Sequence, residues 1–224
     1  MQRSFATLAL LLSTAAFGRA NTPLDELRRG MYRVEFNRGI PINAQMHNVD
    51  PDDIGITNRV SPFEGEEGHF TAVRFTPSRG FGVQKVSYVA PVSDLFGVNC
   101  TVSDDRLVEL YVTTELTPPK DELPVASVLV PGIANAPSGD ATFYVLLPDT
   151  IWVSEGETLF VAIEMPGQYP DVGCLRTAKA GADAIEDEYW SFATEAPFDW
   201  VGFDDLSGLD IWKPLVSISG YIVI

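Results

Sequence analysis

Histidine and cysteine are scarce in this chain of 224 residues, with two of each. The zinc motif H-E-x-x-H and the nucleophile elbow G-x-S-x-G are both absent. His47 falls in a loop and His69 opens a strand. Neither stands at helical or alternate-strand spacing from the other, so a paired-imidazole metal site is set aside. Both read as surface or structural residues. No C-x-x-C occurs, which removes the usual dithiol redox chemistry. Basic residues are also few, 15 against 31 acidic, for a formal charge of −16. A field of that sign repels phosphate backbones and anionic headgroups, so no nucleic-acid partner is expected. Long apolar runs are missing: the one near the start, Phe5 to Phe17, is too short to cross a bilayer comfortably. No membrane insertion is expected. Amphipathic helical patterns are missing as well, which excludes a parallel α/β fold with its crossover helices.

What stands at the start is an export signal. Arg3 precedes the apolar run FATLALLLSTAAF, and Gly18-Arg19-Ala20 supplies small residues at cleavage spacing. Residues 1–20 read as a signal peptide, 21–30 as a polar N-terminal arm, and 31–224 as one domain. The protein is expected to be secreted, either extracellular or periplasmic. In such a compartment Cys100 and Cys174 are expected to form a disulfide. The loop it would close holds about 75 residues, which the chain-entropy account values at about 4–5 kcal/mol.

The domain reads as strands. LVELYVTT (107–114) alternates Leu107, Glu109, Tyr111 and Thr113 against Val108, Leu110 and Val112, one wet face and one dry. Similar short runs occur at 31–36, 69–77, 83–91, 124–131, 140–148, 158–166, 188–194, 198–203 and 215–224. Pro and Gly punctuate the gaps between them. Residues 37–68 read as a long loop with one short strand near 54–60. Glu155-Gly156 is expected to make a tight hairpin. About nine or ten such strands predict an all-β, antiparallel sandwich, since each half-apolar sheet face needs another to cover it.

Acidic loops offer oxygen ligands for calcium. The candidates are Asp183, Glu186 and Asp187 in one loop and Asp204, Asp205 and Asp210 in another, with Asp50 to Asp53 as a third stretch. None has EF-hand spacing. Aromatic residues offer flat surfaces for a sugar ring. Trp190, Trp200, Trp212 and Tyr189 are the candidate ligand-binding residues, with Trp152 lying upstream of them; core packing is the competing role for each. Paired carboxylates could serve a glycan-acting hydrolase, and Glu164, Glu188, Asp199, Asp204 and Asp205 lie on or beside predicted strands. No catalytic residue is assigned.

From Ala72 to Gly167 the order of segments is AVRFTP, KVSYV, LYVTTELTPP, LPVASVLVPG and FYVLLPDTIWVSEGETLFVAIEMPG. This resembles jelly-roll-like β-sandwich domains of secreted bacterial proteins, in which a strand leads into V-x-x-G-x-x-F-x-V-A/G-I; here the run is Val153-Ser-Glu-Gly156-Glu-Thr-Leu159-Phe160-Val161-Ala162-Ile163, with Leu159 at the Phe position. The resemblance implies a jelly-roll-like fold without catalysis, serving binding, adhesion or secretion. The leading expectation is therefore a secreted binding module for an extracellular glycan or protein, with calcium as its one candidate cofactor. A self-assembling surface or matrix subunit and a hydrolase using paired carboxylates are the alternatives.

Overall fold

Burial alternates along strands such as Arg106–Thr113 and Ala126–Val130, while Phe70–Phe75, Thr158–Glu164 and Glu188–Ser191 are buried on both sides, in the computed structural model, which describes residues 32–35, 42–50, 52, 54–95, 97–179, 188–191, 193–206 and 212–222. Numbered along the chain, one eight-stranded sheet holds β1 (Tyr32–Glu35), β2 (Ile42–His47), β5 (Phe81–Leu95), β6 (Val98–Thr101), β9 (Gly139–Val153), β11 (Gly167–Gln168), β12 (Asp171–Gly173) and β17 (Val216–Ile222). A six-stranded sheet runs β15 (Trp200–Gly202), β14 (Glu188–Ser191), β4 (Phe70–Phe75), β10 (Thr158–Glu164), β7 (Arg106–Thr113), β8 (Ala126–Val130). A small third sheet runs β16 (Trp212–Pro214), β13 (Leu175–Lys179), β3 (Thr57–Val60). The all-β sandwich is as expected, but its strands outnumber the nine or ten read from sequence. The surplus is in short pieces such as β11, β12 and β16, whose two or three residues are too few to show a period. Among the described residues pairing is antiparallel except between β12 and β6, which run parallel. The signal peptide expected at 1–20 and the arm expected at 21–30 lie outside the described residues.

The main core forms between the two large sheets. Phe81, Val83, Val86 and Ile218 from one meet Val73, Val108, Leu110, Leu159, Val161 and Ile163 from the other. At about 25 cal/mol per Å² of apolar surface removed from water, this contact is the chief favourable term of the fold. The six-stranded sheet is also covered on its outer side. Phe70, Ala72, Tyr111, Phe160, Ala162, Tyr189 and Phe198 form a second cluster there. This corrects the expectation that Tyr111 faces water. Its strand does alternate, but a second layer of chain lies over that face. Chain 116–120 is tied down by Tyr189 Oη donating to Leu116 O at 2.8 Å and Trp200 Nε1 donating to Pro119 O at 2.9 Å.

Two further expectations are corrected. The described residues of 37–68 contain two strands, β2 and β3, where one is expected; β2 (INAQMH) carries a period-two alternation inside a stretch rich in Asn, Pro and Gly. Glu155-Gly156 does not close a hairpin. β9 pairs with β5, whereas β10 pairs with β4 and β7, so this turn carries the chain from one sheet to the other. Gly156 takes φ 86°, a left-handed conformation that favours glycine, and Ser154 N donates to Glu157 Oε2 across the turn at 2.6 Å.

Cys100 and Cys174 form the expected disulfide, fully enclosed and bridging the end of β6 to the residue after β12. Arg106 is buried beside it. Its Nη1 donates to Cys174 O at 3.0 Å and its Nη2 to Thr101 O at 2.9 Å, while its guanidinium lies 6.0 Å from the stacked rings of Tyr88 and Phe143. Those bonds give a charged side chain partners inside the core, which it needs to be tolerated there. Burial lowers the Arg106 pKa and pushes the Tyr88 phenol up to about 12. A buried ion pair, Lys213 Nζ to Glu188 at 3.5 Å, ties the small sheet to the six-stranded one.

Candidate functional site

The outer face of the eight-stranded sheet is built by period-two geometry. On β5, Phe81, Val83, Val86 and Tyr88 turn inward, which leaves Gly82, Lys85 and Ser87 on the opposite side. Cross-strand register then sets out three rows. Trp152, Gly82, Tyr221 and Asn43 form the first; Leu146, Lys85, Ser219 and Gln45 the second; Tyr144, Ser87, Ser217 and His47 the third. The rows of Trp152 and Tyr144 are five residues apart along β5, or about 15 Å.

Trp152 is 54% exposed, Tyr144 66% and Leu146 74%. The indole rests directly on Gly82: a β-carbon at that position would lie 2.9 Å from Cζ3 and 3.0 Å from Cη2. Glycine therefore provides the seat on which the ring packs, while the exposed part of Trp152 remains open to solvent. Gly220 serves the same region. A β-carbon there would lie 1.8 Å from Gly82 O, so only glycine permits the register shift at Ser219/Gly220 that draws β17 against β5. Lys85 Nζ sits 5.2 Å from the Tyr144 ring centroid, a cation–π contact that steadies the phenol.

Uncharged polar groups surround the rings. Ser87 Oγ and Ser217 Oγ are 2.7 Å apart, Gln45 Nε2 donates to Ser217 Oγ at 3.3 Å, and Gln84 Nε2 donates to Thr150 Oγ1 at 3.2 Å. Charge is thin on this face. β2, β17, residues 81–90 of β5 and residues 141–153 of β9 together carry one acid, Asp149, in a chain with 31 acidic residues. Beside the third row lies a cavity of about 130 Å³ lined by His47, Val49, Ile54, Ser87, Thr142 and Ser217 among others. β9 itself pairs only with β5 among the described residues.

No family model matches this chain. Neither a curated protein nor a solved structure matches it either.

The aromatic residues singled out from sequence lie elsewhere. Trp190 is 3% exposed and packed in the main core. Tyr189 and Trp200 meet on the outer side of the six-stranded sheet, where they hold chain 116–120 and pack with Phe198. Trp212 is half-buried on β16, at an edge of the small sheet. Of the calcium candidates, Asp183, Glu186, Asp187 and Asp210 lie outside the described residues, as does Asp53. Asp204 and Asp205 sit exposed in a short 3-10 turn, and Asp50 Oδ1 accepts the Asp52 amide at 2.9 Å in a local turn. No cluster of three or more potential ligands occurs among the described residues.

Two carboxylates share the outer side of the six-stranded sheet on adjoining strands, Glu109 and Glu164. Each has an internal partner: Tyr111 Oη donates to Glu109, and the Leu107 amide donates to Glu164 Oε2 at 2.9 Å. Burial chiefly, with the Glu109 charge adding to it, holds the Glu164 carboxyl above its ordinary value, against the Leu107 amide and Arg106.

Sequence reasoning passed over Trp152, Tyr144 and Tyr221 as site residues. A signal for Tyr144 was present: Thr142, Tyr144 and Leu146 alternate with Phe143, Val145 and Leu147, and one of those two sets has to face outward.

Proposed function

We propose that this chain is an exported, non-catalytic β-sandwich module that binds a neutral glycan across the outer face of its eight-stranded sheet. The observation that carries this reading is Trp152, held on Gly82 and more than half exposed. The C–H face of a sugar ring stacks on such an aromatic surface, and an indole fixed in advance loses little freedom on contact. Tyr144 supplies a second ring, while the amides and hydroxyls of Asn43, Gln45 and Gln84 suit sugar hydroxyls. Residues 42–47, 81–90, 141–153 and 216–222 carry Asp149 as their one acid, with Asp94 and Asp140 at the ends of β5 and β9; this fits an uncharged ligand and spares the desolvation of a carboxylate. Export is supported by the leader-like residues 1–20 and by the enclosed Cys100–Cys174 bond, a feature of oxidising compartments.

Binding to a panel of neutral polysaccharides, followed by affinity electrophoresis and calorimetry, tests the reading. Trp152→Ala is expected to weaken binding at least tenfold, and Trp152→Phe to recover part of it. Unchanged binding by Trp152→Ala and Tyr144→Ala would reject the face as the site. The same panel run in EDTA checks calcium, for which Asp204 and Asp205 remain the described candidates. Light scattering over a concentration series checks the self-assembling alternative.

A further inference from the structure

The cavity beside Tyr144 differs in chemistry from the flat rows. Val49, Ile54, Val89 and Leu215 give it apolar walls, whereas Ser87, Ser217 and Thr142 give it hydroxyls. At about 130 Å³ it falls well below the roughly 300 Å³ at which pockets for whole drug-sized ligands begin. It suits a substituent better than a complete sugar ring. Ser87 and Ser217 are 9% and 7% exposed, and one hydroxyl proton joins their two oxygens. Gln45 approaches Ser217 as a donor, so it takes up no second proton. A hydroxyl pair carries two protons, and among the described residues no acceptor meets the other one. The cavity therefore offers a spare buried O–H donor and oxygen lone pairs inside an apolar rim. Ser87 is the cross-strand partner of Tyr144, so a group entering here belongs to a sugar positioned at that ring.

We infer that this cavity receives the acetamido group of an uncharged N-acetylhexosamine, which makes acetylated amino-sugar chains the ligand class of the face. The methyl group packs on Val49, Ile54 and Leu215. The acetamido carbonyl accepts the spare serine proton, and its N–H faces the hydroxyl oxygens. A free amine would bring an uncompensated ammonium into the same walls, so a deacetylated sugar is rejected. This inference rests on the glycan reading of the face.

Calorimetry on the full chain with tetra-N-acetylchitotetraose and cellotetraose tests it, because the two probes share ring and linkage and differ at the acetamido position. The acetylated probe is expected to bind about tenfold or more tightly. Ser87→Ala and Ile54→Trp are expected to abolish that preference; Ile54 is an exposed rim position, so its replacement spares the core. Trp152→Ala is expected to weaken both probes alike. Equal affinity for the two probes, with both sensitive to Trp152→Ala, overturns the acetamido assignment and leaves the glycan face standing. A preference that survives Ile54→Trp overturns the assignment as well. Failure of both probes to bind overturns the assignment together with its extension to these chains, and the neutral-polysaccharide panel then decides the face separately.

Discussion

Replacing Cys100 and Cys174 together by Ala removes one covalent link and little else. Both side chains are fully enclosed, so Ser is the poorer choice: its hydroxyl would be buried without an assured partner. The bridged residues are 74 apart. The chain-entropy relation then gives about 15 cal/mol/K, or about 4.5 kcal/mol at 25 °C. The void left by the two sulfur atoms adds about 1 kcal/mol. For a domain of this size each kcal/mol moves Tm by about 2–4 °C, so the expected fall is about 10–20 °C. Differential scanning calorimetry of oxidised wild type and the double Ala variant reads it directly, with circular dichroism confirming that both retain their strands. A thiol assay on denatured, unreduced wild type is expected to find no free thiol. A fall under about 3 °C refutes the reasoning. It would mean that the unfolded chain is already constrained between β6 and β12, or that the bond strains the native state by as much as it restrains the unfolded one.

Two other outcomes separate packing from binding and fix a pH dependence. Trp200→Ala is expected to lower stability by about 2–4 kcal/mol in urea melts and to leave glycan affinity unchanged, because the indole holds Pro119 and packs on Phe198; lost affinity at full stability would move the site to the six-stranded sheet. Glu164 carries a folded pKa raised above its unfolded value, so its neutral form favours the fold. Its contribution is fully present below the unfolded value and is lost as pH rises through the folded one. Glu164→Gln is therefore expected to reduce the fall in stability from about pH 4 to pH 7; urea midpoints across that range check it, and a steeper fall in the variant refutes the assignment.

The reach of the sequence is clear at particular residues. Val108, Leu110 and Val112 announced a strand with one dry side, and that side does face the core. Cys100 and Cys174, the only cysteines, had one possible pairing within the chain. These are local or exhaustive inferences and need no knowledge of neighbours. Tyr111 shows where that reach ends. Alternation places it opposite Leu110, yet whether that side meets water depends on chain 116–120 folding back across the sheet. Glu155-Gly156 is a second case. A turn sequence specifies a change of direction, and the sheet that β10 then joins is chosen by contacts with β4 and β7, distant in the chain.

The tryptophans mark the same boundary. Their number and position were open to reading, but burial was not: Trp190 and Trp152 both occupy strands, and only the packing of the sheets encloses one and leaves the other exposed on Gly82. Sequence by itself determined the strand period, the acidic charge and the disulfide partners, because each depends on residue identity or on spacing within a few residues. Tertiary structure alone decided which aromatic face meets solvent and which hydroxyls gather into a cavity, because those depend on register between strands as far apart as β2, β5, β9 and β17.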